Sequence, residues 1–139
     1  MNHKRHSIVL AALISCGALL SGEAIAADHA CTGLDTNLTD ARKHEYATLV
    51  ASSMTVKIKP STVSLMNFMT SGSWSAVYAS TPESDPGFFF FQTVNGQKQF
   101  KEVWGGFAVP EDRPELIKWA RALGAPENLA TCFAHTVIG

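Results

Sequence analysis

The chain has 139 residues, 11 of them basic and 12 acidic, for a formal net charge of −1. That length suits one domain and is too short for two independent cores. The two signs are scattered and build no basic stripe, which speaks against nucleic acid and against an anionic membrane surface as partners.

The chain begins MNHKRHSIVLAALISCGALLSGEAIAAD, with Lys4 and Arg5 ahead of an apolar run from Ile8 to Leu20 and small residues at Ala24 and Ala26. This is the layout of a secretory signal peptide cut after Ala26. The run of 13 residues is shorter than the ~20 that a spanning helix needs, so the expectation is residues 1–26 as a removed signal and no membrane span. A second reading of the same stretch makes Leu13-Ile14-Ser15-Cys16 a lipobox, with Cys16 acylated as the mature N-terminus. Against it, Ala18-Leu19-Leu20 continues the apolar stretch past Cys16 and the Ala-x-Ala site is left without a purpose. Taking 26 residues from 139 leaves residues 27–139, a single domain of 113 residues. Loss of Lys4, Arg5 and Glu23 makes its net charge −2. A periplasmic or secreted location follows, and in such a compartment Cys31 and Cys132 are expected to pair as a structural staple across the domain.

LTDARKHEYATLVASSM, from Leu38 to Met54, predicts a helix capped by Thr39, with Tyr46, Leu49, Val50 and Met54 on one stripe. From Thr55 the period changes to two: Val56 and Ile58 alternate with Lys57 and Lys59 until Pro60, which predicts a first short strand. Strands around Thr62–Phe68 and Ser73–Ser80 follow, joined through Met69-Thr70-Ser71-Gly72 as a hairpin. TPESDPG reads as a loop. Asn95-Gly96, between Phe88–Thr93 and Gln97–Trp104, is a type I′ hairpin signal, since both central residues need positive φ. Gly105-Gly106 reads as a bulge or tight bend. Asp112, Pro114 and Glu115 open a helix that carries Leu116, Ile117, Trp119, Ala120 and Leu123 and stops at Gly124. Pro126-Glu127 starts a last helix through Cys132 and Phe133. The expected fold is therefore α+β: an N-terminal helix, about five antiparallel strands and two C-terminal helices.

Four consecutive phenylalanines, Phe88 to Phe91, must alternate between the faces of a sheet and cannot all enter one core. With the helices expected on one face only, one alternating pair belongs beneath them. The other belongs on the opposite face beside aromatics such as Trp74 or Trp104, covered by a loop, a second copy or a partner. Trp74, Tyr78, Phe89, Phe91 and Trp104 are accordingly the candidate binding residues.

Signals for chemistry are weak by comparison. His29, His44 and His135 lack the spacings of zinc or haem sites. The acids Glu83, Asp85, Glu111 and Asp112 lie in turns. Neither a G-x-S-x-G elbow nor a phosphate loop occurs. No cofactor and no metal is expected. The function read from these residues is a small exported binding protein without catalysis, acting by protein–protein contact as an inhibitor or immunity protein does. Its partner is expected to be a protein, such as an extracytoplasmic enzyme, with a homodimer as a further option. Two alternatives are a carrier or sensor of an apolar small molecule and an enzyme whose site is assembled only in three dimensions.

Overall fold

A computed structural model describes residues 29–139; the signal segment and the Cys16 alternative lie outside the described residues. The leader from His29 turns tightly and meets α1, Asp40–Ser53, whose N-terminus is capped as expected: the Thr39 hydroxyl accepts from the Arg42 N–H at 3.2 Å. Four strands follow, β1 Ser64–Ser71, β2 Trp74–Thr81, β3 Ser84–Val94 and β4 Gln97–Gly105, then α2 Arg113–Leu123 and α3 Glu127–Ile138. The strands form one antiparallel meander in chain order. None of the helices among the described residues is long and apolar enough to cross a membrane.

The sheet has four strands rather than about five. Segment 55–59 bends at Thr55 and Val56 and joins no ladder. It spans the short distance between the end of α1 and a 3-10 turn at Pro60–Thr62, and Pro60 has no N–H to give a neighbour. The β2–β3 connection, in turn, is tighter than its composition predicts. Thr81 pairs with Ser84 around Pro82 and Glu83, and β3 runs on through Pro86. A register shift between Ala79 and Thr81 accommodates the proline. Asn95 and Gly96 both have positive φ, 52° and 76°, as a type I′ turn demands. Asp112 caps differently from the expectation: its carboxylate accepts from the Val109 N–H at 2.9 Å, closing the 3-10 turn at Pro110–Asp112 rather than the first turn of α2.

The largest departure is the coverage of the sheet. Helices lie on both faces. Phe88 and Phe90 point to α2 and α3, with Met69, Trp74, Leu129 and Phe133, while Phe89 and Phe91 point to α1, with Tyr46, Val50, Phe68 and Val77. The alternation of the four phenylalanines is as read, but the second pair is covered by the chain's own first helix. On the α2/α3 face Phe133 is the hub. Its ring meets those of Phe88, Phe90, Trp104 and Trp119 at centroid distances of 5.1–5.8 Å.

Cys31 and Cys132 are bridged, Cα to Cα 4.6 Å, tying the leader to α3 across 101 residues of sequence. The leader is fixed at a second point, where the Thr70 N–H donates to the Asp35 carbonyl and the Arg42 guanidinium meets the Asp35 carboxylate at 2.6 Å. Every buried side-chain polar atom among the described residues has a hydrogen-bond partner.

Candidate functional site

The sheet divides the five residues expected to form one binding surface. Trp74, Tyr78 and Trp104 lie on the α2/α3 face. Trp74 is buried, with the Lys101 ammonium 6.0 Å from its ring centroid, and Tyr78 and Trp104 are half-buried against Phe88 and Phe133. Phe89 and Phe91 lie on the other face and are buried beside Tyr46, Phe68 and Phe100. The open aromatic face is corrected accordingly: α1 occupies the place reserved for a partner, and Phe91 has no accessible surface to offer one.

Apolar side chains do reach solvent at β4 and the loop that follows it. Opposite β3, Phe90 pairs with Glu102 and Phe91 with Phe100, so Lys101 is an extra residue. In a regular strand, residues three apart point to opposite faces. The bulge removes that constraint, and Phe100 and Val103 both stand on the α1 face, each 39% exposed. With Met54, Pro86 and Phe89 they floor an open groove of about 600 Å³ between the end of α1 and β4. Asp85 and Glu102 line it, with no lysine or arginine among its lining residues. Glu102 also accepts from the N–H of Val103 at 3.0 Å, blocking one donor on the outer edge of β4.

Beyond the groove the chain passes through Gly105-Gly106 to Phe107. Gly106 has φ +129°, a conformation that favours glycine, and Phe107 is left 89% exposed. On its other side lies a hollow of about 360 Å³ formed with Trp104, Ala108, Leu116 and Trp119, rimmed by Asp112 and Glu115. The loop thus carries a protruding aromatic ring between an apolar groove and a hollow of mixed polarity, each with two carboxylate residues in its lining. Of these residues, Phe100 and Phe107 are aromatics outside the five candidate binding residues. Met54 and Val103 do not stand out in the sequence, because their exposure depends on the bulge and on where α1 ends.

Chemistry finds less support. No group of three or more His, Cys, Asp or Glu side chains that could hold a metal occurs among the described residues. A polar hollow at the opposite end brings together Arg42, Tyr46, Ser75 and Lys98. In it Tyr46 donates to Ser75 Oγ at 2.7 Å, and Lys98 pairs with Glu45 at 2.7 Å. Burial pushes the Tyr46 phenol above its ordinary pKa, which keeps it protonated as the donor to Ser75 rather than a base toward it. Arg42 is engaged by Asp35 and by the face of Phe68, 4.4 Å from the ring centroid. These are the attachments of α1 to the sheet. Comparison with family models, with curated proteins and with solved structures finds no match for this chain, so its function is argued from its own surface.

Proposed function

We propose that this protein is an exported, disulfide-stapled binding domain that works without catalysis, by contact between the β4 end of the domain and a protein partner, in the manner of an inhibitor or immunity protein. The observation that carries the reading is Phe107, 89% exposed on a glycine-supported loop between the apolar groove and a second hollow of mixed polarity. Aromatic side chains that project from a rigid scaffold are the usual anchors of protein interfaces. The bridge between Cys31 and Cys132 supports an oxidising compartment. With the signal layout of residues 1–26, it favours the periplasm or the exterior, with lipidation at Cys16 as the alternative route to the same side of the membrane.

The carrier reading has one observation in its favour, the size of the groove, which lies within the range of small-molecule sites. The groove is open along one side, however, and such a site buries less of a ligand than a closed pocket does.

The test is affinity capture of proteins from the extracytoplasmic fraction on the immobilised protein and on its Phe107→Ser variant. The expected result is a partner held by the parent and lost by the variant, whose thermal midpoint is unchanged because Phe107 contributes little burial. A partner held equally by both would remove the loop from the function.

A further inference from the structure

The segment left out of the sheet and the groove at β4 are chemical complements. Residues 55–59 bend at Thr55 and Val56 after α1 and then run without regular structure to Pro60, with apolar and basic side chains in alternation. Val56 is 51% exposed, Lys57 and Lys59 are exposed, and Ile58 is half-buried. The groove offers the inverse, an apolar floor of Met54, Phe100 and Val103 with Asp85 and Glu102 among its lining residues, the Glu102 carboxylate lying against the Val103 N–H. None of these four charges enters an ion pair among the described residues.

The two features are also neighbours. Segment 55–59 borders a shallow hollow of about 330 Å³ formed with Ala51, Ile58 and Pro60, and this hollow shares Met54 and Thr55 with the groove. A single patch therefore holds an acidic apolar half and a basic apolar half on either side of Met54 and Thr55. A two-fold dimer requires such a patch, because the same surface must face itself with residue i on residue j and j on i.

We propose that the occupant of the groove is a second copy of this chain. In the dimer, segment 55–59 of each protomer lies in the β4 groove of its partner, and the two-fold axis passes near Met54 and Thr55. Val56 and Ile58 fill the apolar floor and Lys57 and Lys59 meet Asp85 and Glu102. Burial of the apolar pairs holds the dimer, and the charges set its register. The contact stands on the groove and the basic segment, not on Phe107. Loss of partner capture and loss of self-association are thus separate results.

The experiment is analytical ultracentrifugation of protein purified from cells expressing the full chain, over a hundredfold range of concentration and at low and high salt. A monomer–dimer equilibrium that weakens with salt is expected. Lys57→Glu/Lys59→Glu is expected to be monomeric alone, because its acidic arm meets an acidic groove. Asp85→Lys/Glu102→Lys is expected to be monomeric for the opposite reason. Mixed in equal amounts, the two should form a heterodimer, since each half-contact then joins opposite charges. Val56→Asn leaves all four charges in place and should weaken the parent dimer by roughly tenfold or more. Far-UV circular dichroism confirms that each variant is folded. A parent that remains monomeric throughout overturns the proposal. So does a parent dimer unaffected by the charge reversals, or a mixture that fails to associate.

Discussion

The two faces of the sheet solve the same covering problem with different amounts of helix. Four strands make a surface roughly 19 Å wide, and one helix with its side chains covers about 10–12 Å. On one face α2 and α3 lie side by side and close it, with Phe133 at the centre and the disulfide at the margin. On the other, α1 lies alone, and the uncovered remainder is the groove at β4 where Phe100 and Val103 are exposed. Stability should therefore concentrate on the two-helix face and recognition on the one-helix face. The difference teaches that a domain with an odd number of helices around a meander leaves apolar surface at an edge, and here a bulge directs two side chains into that edge.

The sharpest way to break this comparison is to remove the staple of the two-helix face. The bridge closes a loop of 101 residues, and loop-closure entropy values such a link at about 4.7 kcal/mol. Reduction should lower the thermal midpoint more than any single substitution. A reduced protein that melts with the oxidised one would show that the ends of the domain are held by packing alone.

Phe133→Ala comes next. It is fully buried and meets four aromatic rings, and its truncation should cost about 3–5 kcal/mol. Phe100→Ala on the opposite face, already partly in water, should cost less than about 1.5 kcal/mol. Urea denaturation of the pair gives the contrast directly, and equal losses would mean that the two faces are energetically alike. Tyr46→Phe is the smaller test on the α1 face. It removes the hydrogen bond to Ser75, the one buried polar residue among the described residues, and should cost about 1–2 kcal/mol.

What the sequence made legible was local. Asn95-Gly96 dictates its own turn, the Thr39 cap and the Gly124 stop bound their helices, and Cys31 and Cys132 pair as expected. Three things were not legible, because each depends on partners distant in sequence. The stripe of α1, with Tyr46 and Val50, states that the helix packs on something but not on which face. Val56-Lys57-Ile58-Lys59 has a strand's period, yet it joins neither edge of the sheet and serves as the connection from the end of α1 to Pro60. Nothing in Gln-Phe-Lys-Glu-Val announces that Lys101 is bulged. Strict alternation therefore puts Phe100 and Val103 on opposite faces and hides the groove. The candidate aromatic surface was divided for the first of these reasons: the helix that covers Phe89 and Phe91, two of its five residues, lies on the opposite face from the other two helices.

The smallest expected effect concerns how the leader is held against the sheet edge. The Arg42 side chain, donating to the Asp35 carboxylate at 2.6 Å, is the main cause that lowers the Asp35 pKa below its ordinary value of 3.8; the Asn37 N–H adds to it. A carboxyl lowered in the folded state contributes stability that is fully present above the unfolded value and lost as pH falls through the folded one. The contribution should thus be constant from neutral pH down to about 4 and fade only below it. Both groups are accessible to water, so the effect is local rather than global. The proper readout is the backbone amide of Thr70, which donates to the Asp35 carbonyl at 3.0 Å. Its NMR shift should titrate with Asp35 at a pH below the ordinary carboxyl range, and Arg42→Met should move that midpoint upward toward 3.8. A midpoint at or above the ordinary value in the parent would show that the Asp35–Arg42 pair does not persist in solution. The leader would then be held by the disulfide to α3, the Asp35–Thr70 bridge and the packing of Leu34 and Leu38.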